Sequence, residues 1–175
     1  MIGLDSGLRR NDDMELRQPF PGRWLAIAAL IIAADQITKA VITHHFSFGE
    51  SLTVTPFFNL VLAYNAGAAF SFLADAGGWQ RWFFAIVAAA ASLIIVYLLR
   101  KHAEEPRFCL ALALILGGAL GNLIDRIRLG HVVDFLDFYA AGYHWPAFNV
   151  ADSAITIGAL ILVWESFRGK APRSA

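Results

Sequence analysis

The chain has 175 residues, of which 58% are hydrophobic and 16% charged, where soluble domains carry about 25% charged residues. Its mean hydropathy of +0.56 excludes a disordered chain and argues against a water-soluble globule. Fourteen basic and fourteen acidic residues cancel, and Cys109 is the single cysteine. No global positive field therefore points to nucleic acid, and an intrachain disulfide or a multi-cysteine metal site is ruled out.

Residues 1–23 read as a polar, basic leader on the cytoplasmic side, in which 1–13 fit no element and Met14 is an alternative start. Basic residues ahead of an apolar run also resemble a secretory signal, but Asp35 and Lys39 interrupt that run where a cleavage site would stand. Four apolar stretches have the length that a ~30 Å hydrocarbon core requires of a helix. They are Trp24 to about Thr43, Trp82–Leu99, Phe108 to about Leu123, and about Val150 to Trp164. The predicted fold is an all-α membrane protein, a single four-helix domain over residues 24–168 followed by a cytoplasmic tail, 169–175. Ten of the fourteen basic residues flank the spans on one side: Arg9, Arg10, Arg17, Arg23, Arg100, Lys101, Arg107, Arg168, Lys170 and Arg173. The positive-inside rule makes that side, and both termini, cytoplasmic. All five tryptophans fall near span ends, as an aromatic belt does.

Two longer connectors lie on the other side, residues 44–81 and 129–147. In the first, Leu52-Thr53-Val54-Thr55 alternates and Phe57–Tyr64 is rich in strand formers, which predicts a small β-platform. The second is a short connector carrying Phe135, Phe138, Tyr139, Tyr143 and Trp145.

Charges within spans are costly and need a partner or a function. Asp35, Asp125, Asp134 and Asp152 all fall at the outer edge of the bundle, far apart in sequence but at similar depth. Asp35 and Lys39 share a helical face, so an ion pair or a helix-packing role explains them ahead of a catalytic lysine. Asp125 precedes Arg126 and Arg128, which suits an ion pair at a helix end. Asp152 follows Asn149 by three residues and fits a capping box. Asp137 suits a water-facing position. Asp134, between Val132-Val133 and Phe135-Leu136, has no such routine explanation. Two carboxylates divide acid and base work when their environments differ. Asp152 at a helix start enjoys the macrodipole as an anion, and Asp134 among apolar neighbours favours its proton. Across one shared water, one would take a proton and the other give one.

Other chemistries fit less well. No His-Glu-x-x-His run is present, and a metal held by His131, His144, Asp134 and Asp152 is a remote alternative, so no metal and no cofactor is expected. Ser153 lacks a Gly-x-Ser-x-Gly elbow. Cys109 reads as a core residue, and Gly117-Gly118-Ala119-Leu120-Gly121 as a close helix-packing seam. A proton-coupled carrier would place its carboxylates near the midplane of two repeated halves, and no repeat is visible. An assembly subunit with purely structural charges is a further alternative.

Five segments resemble the bacterial lipoprotein (type II) signal peptidases: Asp35-Gln36-Ile37-Thr38-Lys39; Tyr64-Asn65-Ala66-Gly67-Ala68-Ala69-Phe70-Ser71; Gly117 to Arg126; Gly130-His131-Val132-Val133-Asp134-Phe135; and Phe148-Asn149-Val150-Ala151-Asp152-Ser153. The motif positions show no departure. The resemblance implies an inner-membrane aspartyl endopeptidase that frees diacylglyceryl-modified prolipoproteins of their signal peptide, cutting just before the lipid-modified cysteine. It implies Asp134 and Asp152 as the dyad, and Asn65, Asn122, Arg126 and Asn149 as substrate-groove residues. Asp35, Lys39, Asp125 and Gly67 would be supporting. The expected partners are prolipoproteins and membrane lipids, with no nucleic acid, and the chain is expected to act as a monomer. The site would lie near the periplasmic face, with Tyr64–Phe72 covering the groove.

Overall fold

A computed structural model describes residues 21–67 and 77–168. The leader up to residue 20, the segment Ala68–Phe72 expected over the groove, and the tail from residue 169 lie outside the described residues. Among the described residues four helices are long and apolar enough to cross a membrane: α1 (Gly22–His45), α2 (Trp79–Lys101), α3 (Pro106–Arg128) and α4 (Val150–Phe167). At 1.5 Å per residue they run about 27 to 36 Å. Each extends beyond its apolar stretch into polar residues. The largest difference is in α3, which continues past Leu123, so that Asp125 and Arg126 stand on the helix rather than after it.

Local chemistry sets the helix ends. Pro106 opens α3 at a position where a missing N–H costs nothing. Asn149 caps α4, its side-chain oxygen accepting from the Asp152 N–H at 2.9 Å. Arg100 and Lys101 close α2, where cations complement the macrodipole. Within the spans, hydroxyls are satisfied by their own helix: Thr38 donates to the Ala34 carbonyl at 2.8 Å and Ser92 to that of Ala88 at 2.7 Å.

The third helix is central. Lipid tails are as apolar as leucine, so close backbone approach, not exclusion of water, holds such helices together. α3 supplies that approach through its glycines. A Cβ on Gly117 would stand 2.9 Å from the Ala28 carbonyl oxygen of α1, and one on Gly118 would overlap the Ala151 carbonyl of α4. One core cluster joins Trp24 and Ala28 of α1, Ile95 and Leu99 of α2, and Cys109, Leu112 and Leu116 of α3. Cys109 is fully buried there, as expected of a core residue.

At the other end of the bundle sits a four-stranded antiparallel sheet, β1 (Ser51–Thr55), β2 (Phe58–Asn65), β3 (Val132–Ala140) and β4 (Tyr143–His144), paired in that order. The first two strands are the expected platform. The second connector goes further than expected: it adds β3 and β4 to the same sheet. A register shift between Leu60 and Ala63 places Ala63 opposite Asp134 and Asn65 opposite Val132. Ile42 of α1 packs with Leu62, Val133 and Phe135, fixing the sheet on the helix ends.

Candidate active site

β3 carries Asp134, and the chain then returns along it. Phe148 exchanges backbone hydrogen bonds with Leu136, at 2.8 and 3.1 Å, which delivers Asn149 and the start of α4 to the flank of β3. Asp134 and Asp152 consequently line one cavity of about 750 Å³, together with Asn65, Asn122 and Arg126. Trp145, Pro146 and Phe148 form part of the wall, with Ile155 and Ile157 of α4.

The direct side-chain partners of both carboxylates are amides. Asp134 accepts from Asn149 Nδ2 at 2.7 Å and Asn65 Nδ2 at 3.2 Å. Asp152 accepts from Asn122 Nδ2 at 2.7 Å. Asp134 is 3% exposed. Its burial, and then the nearby charge of Asp152, push its carboxyl from the ordinary 3.8 up to about 7, against the N–H groups of Asn65 and Asn149 and the charge of Lys39. The protonated tendency expected of Asp134 from its apolar neighbours is therefore present.

Behind the cavity lies a buried ionic network. Lys39 Nζ is 2.8 Å from Asp35 Oδ2, 2.7 Å from Asp125 Oδ2 and 2.9 Å from Asn122 Oδ1. The ion pair expected of Asp35 and Lys39 exists, but it is shared. Asp125 corrects the expectation of an ion pair with Arg126 or Arg128: its cation is Lys39, and it also accepts from the Val133 N–H at 3.2 Å. Sequence proximity favoured the arginines; helix packing brings the lysine of α1 closer. Asp35 Oδ1 in turn accepts the Ala151 N–H at 2.9 Å, tying α1 to the first turn of α4.

Arg126 reaches sideways. It donates to the Gly67 carbonyl at 3.0 Å, while the Gly67 N–H donates to Asn65 Oδ1 at 3.0 Å. Gly67 thus fixes the chain just after Asn65. Each residue named from the sequence as catalytic, substrate-binding or supporting lies in this one assembly.

Two residues were missed. Gln36 donates to Asp125 Oδ1 at 2.9 Å and to the Gly121 carbonyl at 3.3 Å, closing the network from the α1 side. Its place between Asp35 and Lys39 was the available signal. Asp137, expected in water, is 7% exposed; it accepts from Asn59 at 2.8 Å and contacts His144 Nδ1 at 2.9 Å, which clamps β4 to the sheet. Its partners are 78 and 7 residues away in the chain, and the more distant one gave no local sign. Among the described residues no cluster of three or more His, Cys, Asp or Glu side chains is arranged to hold a metal.

Comparison with known proteins agrees with this architecture. The family model described as signal peptidase (SPase) II matches residues 27–168. The lipoprotein signal peptidase of Ralstonia nicotianae is 62% identical over 147 residues, covering 84% of this chain and 85% of its own length. That of a Janthinobacterium species is 61% identical over 145 residues, covering 83% and 88%. A bacterial membrane enzyme solved by the in meso method at 2.3 Å superposes with a TM-score of 0.80 at 34% identity, covering 91% of this chain and 98% of that one.

Proposed function

Since the chain belongs to the signal peptidase II family, we propose that it is an aspartyl endopeptidase that removes the signal peptide from diacylglyceryl-modified prolipoproteins, cutting just before the lipid-modified cysteine. The observation that carries the reading is the meeting of Asp134 and Asp152, from a strand and a helix, on one cavity wall with amide partners. Carboxylates committed to structure are paired with cations, as Asp35 and Asp125 are; these two are left free for proton transfer.

In this mechanism a water bound between the dyad loses a proton to Asp152 and attacks the scissile carbonyl. Asp134, whose raised value of about 7 lets it hold a proton up to near neutral pH, gives that proton to the departing amine, and the two titrate as a coupled pair. Among the described residues the buried Arg126 Nε has no hydrogen-bond partner, and Arg126, Asn65 and Asn122 line the cavity as polar contacts for an extended substrate. Such a peptide needs them, because its unpaired backbone groups are costly in lipid. Ile155 and Ile157 supply the apolar wall that suits a signal-peptide helix and acyl chains. The sheet end of the bundle faces the periplasm from the inner membrane, with both termini cytoplasmic, and the chain works as a monomer.

The test is mass analysis of a diacylglyceryl-prolipoprotein incubated with purified enzyme. Asp134→Asn and Asp152→Asn are each expected to lose about 100-fold or more in turnover, the scale of acid–base catalysis. Near-wild-type turnover by either folded variant would overturn the dyad.

A further inference from the structure

We propose that Lys39 is a positioning residue for the dyad: its ammonium locks the Asn122 side chain in the orientation that presents an N–H to Asp152. This rests on the dyad reading above. A lysine ammonium has three N–H donors and no acceptor. Those of Lys39 meet three oxygens, on Asp35, Asp125 and Asn122, between 2.7 and 2.9 Å. With its Oδ1 held by an obligate donor, Asn122 has one way to lie, and its Nδ2 points to Asp152 Oδ1 at 2.7 Å.

Take the ammonium away and a half-turn of the amide exchanges its oxygen and nitrogen. The flipped oxygen would face Asp152, and two acceptors meet unless Asp152 carries a proton. Lys39 therefore keeps Asp152 in the state that accepts a proton from water, acting through another side chain. Among the described residues the other hold on Asn122 Oδ1 is weaker: Asn149 Nδ2, at 3.3 Å, also donates to Val133 and Asp134.

The second amide is secured differently. Asn149 Oδ1 accepts the backbone N–H of Asp152, which no flip can replace, so its Nδ2 is committed to the Asp134 side. Asn65, the third amide that serves the dyad, is likewise oriented by backbone, its Oδ1 accepting the Gly67 N–H at 3.0 Å, so Asn122 alone owes its orientation to a removable side chain. The charged groups around this arrangement are Asp35 on α1, Asp125 and Arg126 on α3, Asp134 on β3 and Asp152 on α4.

The experiment is the pH profile of kcat/KM on a lipidated prolipoprotein substrate, with thermal unfolding in detergent measured alongside. The variant is Lys39→Met with Asp125→Asn. It removes one positive and one negative group, leaving the single charge of Asp35 where two negatives and one positive had also summed to minus one. Cluster charge is thus conserved while the Lys39–Asn122 contact is lost. The acid limb is expected to move up by about one pH unit, a tenfold loss on that limb. Lys39→Arg, which keeps a charged donor, is expected to hold the wild-type limb even if it melts earlier. A merely structural lysine would lower activity evenly across pH. An unmoved limb in the folded double variant, or an equal move in Lys39→Arg, overturns the proposal. Where the double variant does not fold, Lys39→Met with Asp35→Asn takes its place under the same two outcomes. Retained turnover in Asp134→Asn or Asp152→Asn would instead defeat the dyad reading itself.

Discussion

Asp134 is the residue whose surroundings most directly set a measurable property. Burial and the neighbouring carboxylate raise it to about 7, and the N–H groups of Asn65 and Asn149 pull it down. A general acid works while it holds its proton, so kcat/KM is expected to decline as pH rises through about 7. Removing an N–H that favours the anion raises the value further. Asn65→Ala is therefore expected to carry the basic limb of kcat/KM to higher pH, alongside any loss in substrate affinity. A limb that stays put, or moves down, would show that Asn65 does not govern the acid. The carboxylates of this network are separated by one partner: Asp35 and Asp125 share the Lys39 ammonium, while the direct side-chain partners of Asp134 and Asp152 are amides. What the sequence hid was the identity of one partner: Asp125 stands beside two arginines in the chain, yet its cation is Lys39. Which cation an acid meets is decided by helix packing, and spacing along one helix carries no information about its neighbour.

At the scale of elements, α3 positions the site because it lies close to both α1 and α4. Gly118 sets the α3–α4 distance: a Cβ there would overlap the Ala151 carbonyl and stand 2.7 Å from Ile155 Cγ1. Backbone cannot swing aside as a flexible side chain does, so Gly118→Ala is expected to cost about 1–3 kcal/mol, the usual penalty of overpacking. It is also expected to lower kcat, because Ala151 and Asp152 share the turn that would move. Thermal unfolding and turnover of the purified variant check both; a variant with the wild-type melting temperature would mean that the helices separate without penalty. This seam was legible as Gly117-Gly118-Ala119-Leu120-Gly121, since small residues in a membrane helix have few other uses. Strand β3 was not. Val132 to Ala140 is rich in strand formers, but Asp134 and Asp137 are three apart and break a two-residue alternation. Its hydrogen-bond partner, β2, is some seventy residues earlier in the chain. The sequence thus located the catalytic candidates while concealing that one of them is carried by a sheet.

Among the described residues the buried charges gather at one end of the molecule, and the basic residues outside its spans say which end faces where. The four spans were legible because about twenty apolar residues have few alternatives to crossing a bilayer. The positive-inside rule then assigns the His102–Glu105 turn, flanked by Arg100, Lys101 and Arg107, to the cytoplasm. The proposed topology puts the β3–β4 hairpin on the periplasmic side. Single cysteines separate the two possibilities. Glu104 and Tyr143 are exposed, at the turn and the hairpin respectively, while the native Cys109 has no exposed surface and should not react. In intact spheroplasts a membrane-impermeant maleimide is expected to label Tyr143→Cys and to spare Glu104→Cys until the membrane is opened. The reverse pattern would put the dyad on the cytoplasmic face. A protease there would meet prolipoproteins before export, and the proposed cleavage at the outer surface would have to be abandoned.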